Sequence, residues 1–281
     1  MIELMDGGFL YELRKHSQDY GETIIDNNPE LIEKIHKDYI DIGCKYIISG
    51  NYVFKPMRQE NWEYYTEKVF NILHKLKENN DFTLLGCMPP YYESYTDGDF
   101  NSDVVLYYLN LKQIVDKYAD KYIIETIVSY QYLYNICKIL DNGLPIIISL
   151  YPKNDITVEN LVFLTQRFNI EAILINCCSF DMMEEYFNII LKGDFSRKIK
   201  FGFYLNKIDE QQYLAVKNGC DNGRDDRSAI NLEQFYIDRD NDLNKIHDFC
   251  KKYDLSNNLI IGGCCGYGVE DMKVLKTKLI V

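Results

Sequence analysis

The residues with the clearest chemical potential in this sequence are cysteines, because four of the nine occur as two adjacent pairs. The pairs are Cys177-Cys178 and Cys264-Cys265, and the second lies within the glycine-rich run 262–266. Neighbouring side chains of a regular strand point to opposite faces. Both thiols of the second pair therefore reach one point only if the chain turns there, and glycine permits the positive φ angles of such a turn.

Three thiolates from these pairs would suit Zn²⁺, which prefers tetrahedral sulfur coordination. The third ligand would be Cys177 or Cys178, and three protein ligands leave one position open, as in catalytic zinc sites. Two alternatives stay open on spacing alone: the pairs are chance core residues, or they form a redox pair. The odd cysteine count and the length of the chain argue against a disulfide framework.

The remaining cysteines and the histidines are expected to be structural. We expect Cys44, Cys137 and Cys250 to be buried packing residues. Packing is also the favoured role of Cys87, although it follows a predicted strand. The four histidines are expected at the surface or in packing, outside the site: His16, His36, His74 and His247.

Short apolar runs rich in β-branched residues alternate with segments of helical period, which is typical of βα units and a parallel sheet. The predicted strands are 2–5, 46–50, 82–87, 122–127, 145–150, 172–177, 200–205 and 259–263. The predicted helices are 29–42, 60–79, 103–119, 130–142, 157–168, 181–192, 232–252 and 269–279. Asn28 and Pro29 form a good helix start and Gly43 a good stop.

Eight units in 281 residues give about 35 residues each, which matches a (β/α)₈ TIM barrel in the α/β class. We predict one domain over 1–281, with a long loop over 218–242. The phosphate-binding pattern of doubly wound sheets, G-x-G-x-x-G, is absent after the first strand.

Active sites of such barrels form at the carboxyl ends of the strands. The polar residues predicted there, besides the cysteines, are Asp6, Asn51, Tyr52, Glu125, Asn176, Tyr204 and Asn206. A buried carboxylate needs a cationic partner, which the ammonium of an amino-acid substrate would supply to Asp6 and Glu125. The alternative is that both residues have structural roles, in which Asp6 caps a turn and Glu125 lies at the surface.

The net charge of −12 argues against nucleic acid and anionic membranes as partners. No apolar run approaches the roughly 20 residues that span a bilayer. The N-terminus lacks the pattern of a signal peptide. We therefore expect a cytoplasmic protein.

Several motifs, in order along the chain, resemble those of the homocysteine S-methyltransferase family. They are Asp6-Gly7-Gly8, Asn28-Pro29-Glu30, Gly86–Tyr91, Glu125-Thr126, Asn176-Cys177 and Gly262–Gly266, whose sequence is GGCCG. The resemblance runs from residue 5 to about 275, and the pairing of NC with GGCCG is its most specific part.

The resemblance implies a barrel with Zn²⁺ on Cys177, Cys264 and Cys265 and homocysteine as methyl acceptor. It further implies that Asp6 and Glu125 hold the acceptor's amino group, helped by backbone amides near Gly7. The expected donor is a sulfonium, S-methylmethionine or S-adenosylmethionine, because the sequence shows no additional cobalamin or folate region.

Departures from the family pattern leave other functions open. Cys178 adds a fourth thiol, Leu205 stands where proline is frequent, and Met88-Pro89 replaces part of a serine- and glycine-containing segment. These changes concern the donor more than the metal. The alternatives are a non-catalytic zinc- or thiol-binding barrel, and a methyltransferase for another thiol or selenol or with a betaine-type donor.

Overall fold

A computed structural model describes residues 2–19, 21–96, 98–195, 199–207, 240–252 and 259–279. The strands are β1 Ile2–Leu4, β2 Tyr46–Ile48, β3 Thr83–Met88, β4 Lys121–Ile127, β5 Ile146–Leu150, β6 Ile170–Asn176, β7 Lys200–Leu205 and β8 Leu259–Gly263. All pair in parallel, in the order β1-β8-β7-β6-β5-β4-β3-β2. A bridge between Met5 and Tyr46 joins β1 to β2 and closes the ring. The predicted (β/α)₈ barrel is thus confirmed.

The helices lie between the strands and cover the outside of the barrel. They are α1 Phe9–His16, α2 Glu22–Asn27, α3 Pro29–Asp41, α4 Trp62–Lys77, α5 Ser102–Tyr118, α6 Tyr130–Leu140, α7 Val158–Arg167, α8 Phe180–Ile190, α9 Asp240–Lys252 and α10 Val269–Leu279. None of the helices in the described ranges is long and apolar enough to cross a membrane.

Two short helices, α1 and α2, were not predicted, and a 3₁₀ turn at Gly50–Val53 was not predicted either. Segments of six to eight residues give too few turns for a clear helical period. The predicted helix over 232–252 is described from residue 240 onward, and most of the predicted loop over 218–242 lies outside the described residues.

The predicted start and stop of α3 agree with the structure in part. Pro29 is the first helical residue, and Gly43 adopts φ 91°, the left-handed conformation that ends a helix. Asn28 occupies the cap position, but its side chain makes no capping hydrogen bond. The N–H of Leu31 instead donates to the backbone carbonyl of Asn28 at 3.2 Å.

The core has two layers, which the alternation of side chains along the strands separates. The inner layer fills the barrel and consists of Met5, Tyr46, Leu85, Cys87, Ile123, Ile147, Ala172, Leu174, Tyr204 and Ile260. The larger outer layer packs the strands against the helices. Each fully buried Leu or Ile contributes about 1.5–3 kcal/mol by leaving water. This scaffold presents the carboxyl ends of the strands on one rim.

Candidate metal and substrate site

Three thiols meet at the rim. The sulfur atoms of Cys177, Cys264 and Cys265 all lie within 4.8 Å of one another, and those of Cys264 and Cys265 are 3.9 Å apart. A tetrahedral zinc ion with Zn–S bonds of about 2.3 Å would space its sulfurs at about 3.8 Å. The residues therefore fit a zinc ion with only a small closing movement.

Backbone geometry at the ends of β6, β7 and β8 brings the thiols together. Cys177 has φ 54°, a left-handed conformation that is rare for a residue with a side chain. Its N–H donates to the carbonyl of Tyr204 at 2.9 Å, and the N–H of Cys264 donates to the carbonyl of Leu205 at 2.7 Å. Gly266, with φ 84°, makes the turn that glycine permits after the second pair. Strained backbone held by neighbouring strands is typical of functional sites.

Cys178 points away from this cluster. It is fully buried in the outer core layer, whereas Cys177 faces the rim. Its backbone carbonyl accepts a hydrogen bond from the N–H of Asn206 at 3.0 Å. Cys177, and not its neighbour, therefore supplies the third sulfur.

Crowding makes the thiols difficult to ionise without a cation. Contacts with Cys177 and Cys265, followed by burial, raise the pKa of Cys264 well above its ordinary value. Several thiolates at such short separations repel one another. A divalent cation would relieve this repulsion, so the cluster suits a metal better than it suits isolated nucleophiles.

The two carboxylate oxygens of Asp6 differ in their hydrogen bonding. Its Oδ2 accepts a hydrogen bond from the N–H of Ile48 at 2.9 Å, whereas its buried Oδ1 has no hydrogen-bond partner among the residues that the structure describes. Burial, and next the nearby charge of Glu125, raise the pKa of Asp6 well above its ordinary value. A buried acceptor left unsatisfied is costly. A ligand that donates protons and carries positive charge would remove this cost.

Glu125 is held by two donors inside the barrel. The hydroxyl of Tyr204 donates to Oε1 at 2.7 Å and the thiol of Cys87 donates to Oε2 at 2.8 Å. Burial raises the pKa of Glu125, and the two hydrogen bonds oppose this effect. The expectation that Cys87 is only a packing residue is wrong, because its thiol contacts a carboxylate of the site.

A cavity of about 180 Å³ joins the thiols to both carboxylates. The predicted residues in its wall are Asp6, Gly7, Tyr52, Glu125, Asn176, Cys177, Tyr204, Cys264 and Cys265. Most of the strand-end residues predicted from the sequence therefore line one cavity. They come from β1, β4, β6, β7 and β8 and from the turn after β2, so only closure of the barrel unites them.

Two predicted site residues lie behind the wall. Asn51 is fully buried, and its Nδ2 donates to the carbonyl of Cys87 at 3.1 Å. Asn206 donates through Nδ2 to the carbonyl of Cys177 at 2.6 Å. Both amides therefore support residues of the site rather than lining the cavity.

The sequence did not single out two contributors to the wall, α1 and Tyr95. From α1 come Phe9, Leu10, Tyr11 and Arg14, and the helix itself was missed. Tyr95 lies in the loop after β3 with φ 64°. Tyr91, which belongs to the same loop and to the family motif, instead packs on Tyr107 with 5.5 Å between ring centroids.

The glycine pair that follows Asp6 permits α1 to approach the thiols. A side chain at Gly8 would collide with the carbonyl of Cys264, and one at Gly7 would collide with the carbonyl of Tyr267. The motif Asp6-Gly7-Gly8 is therefore explained by close packing of the β1 end against the turn that carries the second thiol pair.

Fold and site together define a (β/α)₈ barrel with a three-thiol cluster suited to a metal ion beside two buried carboxylates. The chain belongs to the homocysteine S-methyltransferase family, whose profile matches residues 3–279. No curated protein matches the sequence.

Solved structures with the same architecture include the homocysteine methyltransferase MmuM from Escherichia coli. Its metallated form superposes with a TM-score of 0.71 at 17% identity, covering 99% of this chain and 96% of that one. Its oxidized form gives the same score and the same coverage. The N-acetylneuraminate lyase from Aliivibrio salmonicida is more distant, with a TM-score of 0.51 at 12% identity, 99% of this chain and 78% of that one. At these identities the likeness concerns the fold.

Proposed function

We propose that this protein is a zinc-dependent methyltransferase that moves a methyl group from a sulfonium donor to the thiolate of homocysteine and forms methionine. The proposal is carried by one observation: three clustered thiols and Asp6, whose Oδ1 has no hydrogen-bond partner within the described ranges, line one cavity. A thiol-bearing amino acid has both a sulfur for a metal and an ammonium for carboxylates. Membership in the family supports homocysteine as that amino acid.

Cys177, Cys264 and Cys265 would hold the zinc ion. When bound, zinc supplies Lewis acidity that lowers the pKa of a coordinating thiol and makes the thiolate available at neutral pH. A cluster of reduced thiols fits a reducing compartment, and we place the protein in the cytoplasm on that ground.

Asp6 and Glu125 would bind the ammonium group of the acceptor. Both carboxylates are buried, and the charge of Glu125 raises the pKa of Asp6. An ammonium between them offsets this repulsion and donates to the open Oδ1 of Asp6. The hydroxyl of Tyr204 and the thiol of Cys87 keep Glu125 in place. The protein thereby orients the acceptor's sulfur toward the cysteines.

The methyl transfer itself requires alignment rather than proton donation. An electron pair of the acceptor's sulfur forms the new S–CH₃ bond, while the bond from methyl to the donor's sulfonium breaks and leaves a neutral thioether. The rings of Tyr52 and Tyr95 line the cavity and would face a cationic sulfonium, a contact worth about 0.5–2 kcal/mol. S-Methylmethionine and S-adenosylmethionine are the donors we propose.

The test is a transfer assay on the purified protein, with homocysteine as acceptor, several sulfonium donors and betaine, and methionine detected by mass. We expect about one zinc per chain and turnover with a sulfonium donor. Cys264→Ser is expected to lose both. If the zinc-loaded wild type formed no methionine from any donor, the proposed methyltransferase activity would be refuted. The non-catalytic zinc-binding barrel would then be the remaining function.

A further inference from the structure

The segment that carries Cys264 and Cys265 is a β-turn. The N–H of Tyr267 donates to the carbonyl of Cys264 at 3.0 Å, and Gly266 occupies the third position of the turn with φ 84°. Some β-turns require a positive φ at that position. A turn of four residues has few contacts of its own, so the relative position of its two sulfurs depends on what holds it in place. We call residues 264–267 the ligand turn.

Backbone hydrogen bonds from the end of β7 hold the start and the middle of the ligand turn. The N–H of Cys264 donates to the carbonyl of Leu205 at 2.7 Å, and the N–H of Lys207 donates to the carbonyl of Cys265 at 2.8 Å. These bonds extend the pairing of β7 with β8 past the last residues of both strands. They use main-chain atoms, so they do not depend on the identity of a side chain.

The exit of the ligand turn is held by two carboxylates instead. The N–H of Gly268 donates to Oδ2 of Asp271 at 2.8 Å. The N–H of Val269 donates to Oε2 of Glu12, on α1, at 3.1 Å. Asp271 lies in the first turn of α10, from which an acidic side chain can reach back to the N–H that precedes the helix. The direction in which the chain leaves Cys265 therefore depends on side chains.

Lys207 links the middle of the ligand turn to its exit. Its Nζ forms an ion pair with Oδ1 of Asp271, and the two side chains are only 17% and 25% exposed. Partly buried pairs are screened less than surface pairs. The Nζ also lies 5.0 Å from the ring centroid of Tyr267. The same residue thus binds the carbonyl of Cys265 with its backbone N–H and orients, with its side chain, the carboxylate that accepts from Gly268.

Resting on the zinc site of the proposed function, we propose that Lys207 and Asp271 are positioning residues for the metal. They hold the ligand turn in the conformation in which Cys264 and Cys265 both face the ion, and neither binds the ion or a substrate itself. Ionised thiols repel one another, so a turn that was free to open would move its sulfurs apart. Removing a partner that orients metal ligands typically costs about 10- to 100-fold in affinity for the metal.

The test measures the zinc affinity of the purified protein by competition with a chromophoric chelator. Asp271→Ala is expected to weaken zinc binding about 10- to 100-fold. Lys207→Met leaves the bond between Asp271 and Gly268 in place and should cost about tenfold. Lys207→Arg can form the ion pair again and should restore the affinity. With Co²⁺ in place of zinc, the thiolate-to-cobalt absorption per bound ion should be weaker in Asp271→Ala, because fewer sulfurs reach the ion.

Asp120→Ala is the matched control, because Asp120 makes the same bonds at the opposite end of the barrel. Its Oδ2 accepts from the N–H of Leu84 at 2.8 Å, and its Oδ1 forms an ion pair with Lys77. These residues lie near the starts of β3 and β4 and away from the cavity. In denaturant titrations without zinc, both alanine variants should lose a similar free energy of unfolding, whereas only Asp271→Ala should lose zinc affinity.

Equal losses of zinc affinity in Asp271→Ala and Asp120→Ala would indicate general destabilisation and overturn the proposal. Unchanged affinity in Asp271→Ala, or in Lys207→Met should Asp271→Ala fail to fold, would overturn it too. A wild type that binds no zinc would overturn both this proposal and the zinc site of the proposed function. Zinc binding that depends on Asp271, in a protein without methyl transfer, would support the positioning role and refute the proposed enzyme alone.

Discussion

Replacing Cys87 by alanine tests whether its thiol holds Glu125, the carboxylate that we propose binds the acceptor. The thiol donates to Oε2 of Glu125 at 2.8 Å inside a site where burial already raises the pKa of that carboxyl. Hydrogen bonds to charged groups are worth about 1.5–3 kcal/mol, and a thiol, as a weak donor, belongs at the low end. About 1.4 kcal/mol corresponds to a tenfold change in an equilibrium constant. Cys87→Ala should therefore raise the KM for homocysteine about tenfold.

The assay is steady-state methyl transfer with homocysteine varied at saturating donor. Losing the thiol raises the pKa of Glu125 further, so its carboxylate form is depleted most at low pH. The KM defect should therefore shrink as pH rises, while kcat at saturating homocysteine changes by less than about twofold. Cys87→Ser keeps a donor at this position and should restore most of the affinity.

Cys137→Ala is the matched control, since Cys137 is equally buried but lies on α6, away from the cavity. Both alanine variants remove one buried thiol and create a similar small void. If Cys137→Ala raised the KM for homocysteine as much as Cys87→Ala does, general loosening of the core would explain the effect. An unchanged KM in Cys87→Ala would remove the positioning role altogether.

Two further predictions concern the metal and the pH dependence of stability. Cys178→Ala should keep about one zinc per chain by elemental analysis, and Cys265→Ala should lose it; equal loss in both would refute the assignment of ligands. Burial lowers the pKa of His36 from 6.5 to about 4, so protonation favours the unfolded chain as pH falls through this window. Between pH 6.5 and about pH 4, the free energy of unfolding of the wild type should therefore fall by about 3 kcal/mol more than that of His36→Phe. Denaturant titrations at several pH values measure the difference, and parallel stability curves would contradict it.

The order of strands and helices was predictable because parallel barrels repeat a simple pattern. Buried strands such as Lys200–Leu205 and Leu259–Gly263 appear as short apolar runs, and their observed bounds equal the predicted ones. Helices with a sustained period, such as α10, were also found at the predicted residues. The short helix α1 was missed, and with it the contribution of Arg14 to the cavity.

The site was only partly predictable, since rim position does not decide where a side chain points. Asp6 and Glu125 line the cavity as expected, whereas Asn51 and Asn206 make hydrogen bonds behind its wall. Cys87 was expected to be a packing residue, and its contact with Glu125 depends on the register between β3 and β4. That register is a property of the folded sheet and leaves no local signature in the chain.

The sequence by itself determined the repeating βα plan, the acidic surface and the two cysteine pairs, because periodicity, charge and residue type are local properties. Only the tertiary structure decided which thiol of the first pair joins the second, since the left-handed backbone at Cys177 and the pairing of β6, β7 and β8 direct that side chain. It likewise placed Glu125 in the wall of the same cavity as Asp6, from which it is far away in sequence. Closure of the barrel brings these residues together, and closure is a collective result of packing along the whole chain.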